Sequence, residues 1–287
     1  MPQSKTWPNQ ALVGYVEAYG STNPPNVTYT MITEAITNGY RIFVYAFGSI
    51  NSDNQVSLPS GINPQDLSKQ IEYIHENNGL ALLSFGGANN TFLPGSGANV
   101  AASNTVDICT KYKFDGVDLD LEHIDVDIDY LESYIKQLKS NNDLFLTAAP
   151  QIGGGYNGGP ATLAPIDIFT TSFLEAVRFD ALFIQEYNQY GGAVFNGLKD
   201  TDVGFVCASF DPLTKIIPPN TKIIVGEPAN RDAASGLKAR CLVEDIKSCS
   251  IRTNSQYGGI MVWAINYDFI QNWSFAKTVY PSLINTN

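Results

Sequence analysis

The chain has 287 residues, 44% hydrophobic and 16% charged, which suits one large α/β domain with a substantial core and argues against disorder. Its formal net charge is −11, with 28 acidic against 17 basic residues. No basic stripe exists to displace counterions from phosphates, and no cationic amphipathic stretch to sit on anionic lipid. Nucleic acid and membrane are thereby excluded as partners, and a neutral polymer or small molecule is expected.

In chain order, eight segments rich in β-branched and aromatic residues read as strands, each followed by a turn signal and a helical pattern. They are Leu12–Tyr19, Arg41–Phe47, Leu80–Gly86, Gly116–Glu122, Leu144–Ala149, Ala181–Tyr187, Lys222–Gly226 and Gly259–Ala264. Amphipathic stretches between them include Pro64–Asn77, Asp127–Lys139 and Ala233–Cys249. Pro64 sits at a first helical position, where its missing N–H costs nothing. Asp125, Asp127 and Asp129 read as caps and favourable charges at a helix start. Strands alternating with helices eight times predict a closed parallel sheet, a single (β/α)8 TIM barrel using residues 1–287 as one domain. Between the seventh and eighth strands there is room for one helix and its loops.

Cys241 and Cys249 fall in one predicted helix, where a spacing of eight separates their Cα atoms by roughly 12 Å, too far to bridge. Cys109 and Cys207 are expected as buried, unpaired thiols. Only two histidines occur, His75 and His123, too few for most transition-metal sites, so no metal and no cofactor is expected. The opening Met1–Trp7 lacks an apolar leader core, so the chain either stays in the cytoplasm or begins after a removed leader.

The informative segment is Asp115-Gly116-Val117-Asp118-Leu119-Asp120-Leu121-Glu122. In a strand, Val117, Leu119 and Leu121 take the face under the helices. Asp118, Asp120 and Glu122 then point into the barrel, about 6.6 Å apart along the strand. Three anions so placed cannot all ionise cheaply, and at least one keeps its proton near neutral pH, which makes a general acid. A calcium loop would need glycine at the sixth position from Asp118, where His123 stands. Two carboxylates on one strand approach a ligand from one side, so neither can oppose the other as nucleophile across a glycosidic bond. Attack by a substrate's own 2-acetamido oxygen removes that difficulty.

At this point the sequence resembles glycoside hydrolase family 18. Asp115-x-x-Asp118-x-Asp120-x-Glu122 is similar to that family's fourth-strand signature, Ser84-Phe85-Gly86-Gly87 to its third-strand motif and Tyr45-Ala46-Phe47 to its second. Gln185-Glu186-Tyr187-Asn188 and Trp263 resemble its sixth- and eighth-strand motifs. The resemblance implies hydrolysis of β-1,4 linkages in chitin or N-acetylglucosamine oligosaccharides, with retention. Glu122 would be the proton donor, Asp120 the acetamido holder, Asp118 a partner sharing a proton with Asp120, and Tyr187 a donor to the acetamido carbonyl. Trp263 would floor the pocket, and Tyr15, Phe47, Ser84, Gln151, Gln185 and Asn188 would contact substrate. Ala149-Pro150-Gln151 and the sixth-strand motif point to members lacking an insertion before the last strand, hence to internal cleavage. A secreted monomer is expected, and a barrel that uses the whole chain is expected to leave no room for a separate carbohydrate-binding module. Gly14-Tyr15-Val16-Glu17 departs from the family by lacking a first-strand Trp, which puts the distal subsites in question. An N-glycan-cleaving endo-β-N-acetylglucosaminidase and a non-catalytic sugar-binding protein remain alternatives.

Overall fold

The computed structural model describes residues 6–19, 22–122, 128–140, 143–188 and 192–284. Strands run β1 (Ala11–Glu17), β2 (Tyr40–Ile50), β3 (Val56–Ser57), β4 (Leu80–Gly86), β5 (Gly116–Asp120) and β6 (Phe145–Ala148). They continue as β7 (Gln151–Gly154), β8 (Ala161–Ala164), β9 (Ala181–Gln185), β10 (Lys222–Pro228) and β11 (Tyr257–Trp263). The helices are α1 (Tyr29–Thr37), α2 (Pro64–Glu76), α3 (Ala98–Tyr112), α4 (Ile128–Lys139), α5 (Thr171–Val177), α6 (Phe205–Thr214), α7 (Ala239–Ser248), α8 (Ile265–Ile270) and α9 (Ser274–Ile284).

Among the described residues, β1, β2, β4, β5, β6, β9, β10 and β11 pair in parallel, and β11 closes on β1. This is the (β/α)8 barrel that the alternating pattern predicts. Period-two patterning builds it: Val117 and Leu119 join the apolar layer under the helices, while Tyr15, Phe183 and Met261 fill the interior. Trp7 plugs the lower end, its ring 5.2 Å from Phe145 and 6.4 Å from Phe183. Asn63 caps α2 through bonds from the Gln65 and Asp66 N–H groups, with Pro64 in the first turn.

Several element boundaries differ from expectation. β1 ends at Glu17 and leaves Tyr19 outside the strand, 44% exposed. β2 runs on to Ile50 because Ser49 and Ile50 pair with the short β3. The β7–β8 hairpin was not expected; it continues the sheet beyond β6 through Gln151, which pairs with Gln185. The helix expected from Ala233 begins at Ala239, and the residues before it form a loop at the barrel mouth. Asp129 lies in the first turn of α4, whereas Asp125, Asp127 and His123 fall outside the described residues.

The cysteine expectation is corrected. Cys249 lies just past α7, and Cys207, on α6, pairs with it in a disulfide across 5.9 Å between Cα atoms. Sequence spacing could not show this, because the two residues are brought together by the packing of neighbouring helices. Cys109 is free and buried, and Cys241 is free.

Candidate active site

The register of the sheet assembles the site. Ser84 stands beside Asp118 and Gly86 beside Asp120, while Thr147 of β6 flanks Asp118 from the other side. Asp118 Oδ2 accepts from Tyr15 Oη at 2.7 Å and Ser84 Oγ at 2.6 Å, and Oδ1 accepts from Thr147 Oγ1 at 2.6 Å. Burial raises the Asp118 carboxyl above its ordinary value, and bonds from the Ser84, Thr147 and Tyr15 hydroxyls offset only part of that rise. Asp118 is thus held in place one layer below the surface that a ligand can reach.

Gly86 explains why a glycine must face the acid strand. Its φ is +115°, and a Cβ there would collide with the Asp120 carbonyl. The next N–H, of Gly87, donates to that carbonyl at 2.7 Å. The third-strand motif thus holds the acid strand through backbone.

Asp120 is almost fully buried, and its Oδ1 accepts from Gln185 Nε2 at 3.0 Å. The same amide nitrogen donates to the Ala149 carbonyl at 2.8 Å, which locks its orientation. Burial first, then the charges of Glu122 and Asp118, push Asp120 well above the ordinary carboxylate range. β5 ends at Asp120, so Glu122 is not the third rung of a strand ladder. It sits half-buried just beyond the strand end, in the same cleft. Tyr187 is buried, and its phenol is raised by burial and then by the charges of Asp120, Glu122 and Glu227, so it stays protonated as a donor.

The cleft, of about 610 Å³, is lined among others by Phe47, Asp120, Glu122, Gln185, Tyr187 and Trp263. Gln151 and Asn188 also reach it. Trp263 stacks on Phe47 at 5.9 Å and 18°, and Phe47 on Tyr19 at 6.2 Å and 29°, giving a stepped aromatic row. The expected contacts Tyr15 and Ser84 are not in the wall. Both are spent below it on Asp118, because their strand positions lie deeper in the barrel. Asn188 has a φ of +49°, and its Oδ1 accepts from the Ser235 N–H at 3.1 Å and from the Ser235 hydroxyl.

Sequence reasoning missed Thr147, Tyr19, and Ala233 and Ala234 of the mouth loop. A lone polar residue at an inward position of an apolar strand was the available signal for Thr147. The mouth loop carried none. Also missed was a carboxyl group behind the wall: Glu186, fully buried, is raised by burial to about 8 and accepts from Ser209 Oγ at 3.0 Å. Glu227 beside it is pushed well up by burial and by Glu186, and accepts from the Leu237 N–H at 2.9 Å. Among the described residues, no group of three His, Cys, Asp or Glu side chains is placed to hold a metal ion. No described helix is long and apolar enough to cross a membrane.

Comparison with known proteins bears on this arrangement. A sequence profile described as "Glycosyl hydrolases family 18" matches residues 11–234. A class III chitinase from Arthroderma benhamiae is 35% identical over 174 residues, covering 56% of this chain and 46% of that protein. Chitinase Chi52 from Paenibacillus xylanexedens is 26% identical across 95% of this chain and 61% of its own. The chain thus spans about half to three-fifths of these two relatives. Among solved structures, a chitinase from Chromobacterium violaceum superposes with a TM-score of 0.79 at 19% identity, covering 98% of this chain and 85% of that one. A tamarind chitinase-like lectin superposes at 0.68 and 15% identity, covering 94% and 99%. The barrel is therefore shared by proteins named for catalysis and by one named for binding, and the side chains must carry the distinction.

Proposed function

The chain belongs to glycosyl hydrolases family 18, and from that premise we propose that it hydrolyses β-1,4 linkages of chitin or its oligosaccharides within the chain, with retention. The observation that carries this reading is one cleft containing Glu122, the raised carboxyl of Asp120 and the protonated phenol of Tyr187 above a Trp263 floor.

Burial raises both Asp118 and Asp120, and the charges of Glu122 and Asp118 raise Asp120 further, so the acid cluster as a whole retains a proton. Glu122 delivers it to the glycosidic oxygen as the C1–O bond breaks. The acetamido carbonyl oxygen of the same sugar attacks C1 from the opposite face and forms an oxazolinium ring. Asp120 accepts the acetamido N–H, and Tyr187 donates to the carbonyl oxygen. Glu122, now a carboxylate, takes a proton from the water that adds to C1, and the ring opens. Two displacements at C1 return the β-anomer. The reaction balances without a metal or cofactor.

The connection between β10 and α7, residues 229–238, is too short for an extra subdomain, which supports a cleft lacking that wall. A cleft without that wall favours binding the middle of a polymer.

The test is product analysis on N-acetylglucosamine oligomers beside an N-glycopeptide. Cleavage of the oligomers with initial β-anomer supports the proposal. Cleavage of the glycopeptide alone replaces it with N-glycan hydrolysis, and binding without turnover replaces it with a lectin. Glu122→Gln is expected to keep folding and oligomer binding while kcat falls beyond the roughly 10²–10⁴ typical of one acid-base group, since Glu122 serves both steps. A variant keeping a tenth of the rate removes Glu122 from that role.

A further inference from the structure

Two carboxyl groups that this mechanism does not use stand side by side behind the cleft. Where β9 pairs with β10, Ile184 lies beside Val225 and Gln185 beside Gly226. One residue past β9 the ladder continues, because the Glu186 N–H donates to the Gly226 carbonyl at 3.1 Å. Glu186 and Glu227 are therefore the next neighbours, on strands about 4.8 Å apart. Ile184 and Val225 join the apolar layer under the helices, so by alternation both acids point into that layer too. Both are fully buried.

Each carboxyl has one oxygen engaged and one to spare. Glu186 Oε2 accepts from the Ser209 hydroxyl of α6 at 3.0 Å, and Glu227 Oε2 accepts from the Leu237 N–H at 2.9 Å. Glu186 Oε1 and Glu227 Oε1 are buried without a hydrogen-bond partner among the described residues. The other charges that reach the pair are Asp245 of α7 and Asp200 ahead of α6, and both are acidic. Asp245 differs from the pair in that bonds from the Val206, Gly204 and Cys207 backbone favour its anion. Two adjacent buried anions among further acids are prohibitive. One proton between the spare oxygens resolves the conflict, since the O–H of one acid then donates to the carboxylate of the other. Burial raises Glu186, and burial and then the charge of Glu186 raise Glu227, the direction that such sharing requires.

The pair joins two parts of the cleft wall. Gln185 and Tyr187, on either side of Glu186, hold Asp120 and line the cleft. Glu227 leads into the mouth loop 229–238, where the Ala229 N–H donates to the Trp263 carbonyl at 2.8 Å and the Ser235 N–H to Asn188 Oδ1 at 3.1 Å. Resting on the function proposed above, we propose that Glu186 and Glu227 share one proton between their spare oxygens, and that this bond positions Gln185 and Tyr187 for the reaction. As pH rises the proton passes to solvent, and two anions then face each other at adjacent strand positions. Their repulsion drives the 185–188 segment away from β10 and takes the Tyr187 hydroxyl out of line with the acetamido carbonyl. The loss appears in kcat more than in KM, because that bond is strongest as the oxazolinium ring forms.

The experiment compares the wild-type protein with Glu186→Gln and Glu227→Gln. A glutamine at either position donates its amide N–H to the partner carboxylate at any pH, while its carbonyl keeps the bond from Ser209 or Leu237. With N-acetylglucosamine oligomers as substrate, kcat is measured from about pH 6 to about pH 9. Each variant is expected to keep a fraction of its kcat at the alkaline end that is about fivefold or more above the wild-type fraction. The charges that raise Asp120 are those of Glu122 and Asp118, so a changed alkaline limb belongs to the pair. Alkaline limbs that superpose on wild type overturn the positioning role and leave the chitinase reading standing. Carbon-13 NMR of the glutamate carboxyls needs no turnover. The wild-type protein should show two resonances, lost one at a time in the variants, that titrate together and hold one proton at neutral pH. Two ionised carboxyls at neutral pH overturn the shared proton. If neither glutamine variant folds, Ser209→Ala takes their place: it removes a donor that favours the Glu186 anion, so the alkaline limb should move to higher pH. An unmoved limb there overturns the proposal. If no oligomer is cleaved, the chitinase reading and the positioning role both fail, and the titration decides the shared proton.

Discussion

At the scale of single residues, Asp118 and Gly86 act through Asp120. The Asp118 charge helps hold the Asp120 carboxyl up, so Asp118→Asn lets Asp120 ionise at lower pH. The acidic limb of the pH–rate profile, which reports loss of the Asp120 charge, is then expected to move to lower pH. The amide also turns one acceptor into a donor facing hydroxyl donors, at a cost of about 1–3 kcal/mol in stability. A profile identical to wild type at both limbs would reduce Asp118 to packing. Gly86→Ala should do more damage than its size suggests. The strained φ alone costs about 1–3 kcal/mol, and the methyl group displaces the Asp120 backbone. A lower melting temperature together with a reduced kcat is the expected result, and full activity in a stable variant would contradict this account of the third-strand glycine.

At the scale of elements, α6 and α7 form the back wall behind Glu186 and Glu227. Gly204 precedes α6 without a capping side chain, so Asp245 of α7 supplies the cap by accepting from the Val206 N–H at 3.0 Å. Ser209 of the same α6 holds Glu186, whose neighbours Gln185 and Tyr187 face the cleft. The Cys207–Cys249 bridge ties the two helices across 42 residues of sequence. On a chain-entropy basis such a loop contributes on the order of 4 kcal/mol. Urea titration of Cys207→Ser, or of the reduced protein, should show a lower midpoint. A midpoint unaffected by reductant would mean that the bridge does not stabilise this pair of helices.

At the scale of the whole molecule, buried acids set how stability depends on pH. Glu17 is raised to about 7 and Glu186 to about 8, in both cases chiefly by burial, and Glu227 is raised well up. For a carboxyl group whose folded pKa exceeds its unfolded value, the folded state holds a proton that the unfolded state releases. Its contribution is fully present below the unfolded value near about 4.3 and is lost as pH rises through the folded one. The melting temperature should therefore fall between about pH 5 and pH 8. General repulsion from the net charge of −11 acts in the same direction, so the diagnostic is Glu186→Gln, which should flatten the slope. An equally steep slope in that variant would assign the effect to overall charge.

Much of this was legible in the residues alone. Period-two alternation around Val117, Leu119 and Leu121 was enough to turn Asp118 and Asp120 inward, because a strand has only two faces. Eight strands alternating with helices were enough to predict the closed barrel. What alternation could not show was where a strand stops, and Glu122 proved to lie past the end of β5. Nor could it show depth: Tyr15 and Ser84 have the right face but the wrong layer, since depth depends on the register between neighbouring strands. The pairing of Cys207 with Cys249 required two helices distant in sequence to pack side by side. Glu17 and Glu186 looked like ordinary acids, because a carboxyl group is raised by how much protein surrounds it. That enclosure comes into being only when strands and helices separated along the chain close over it.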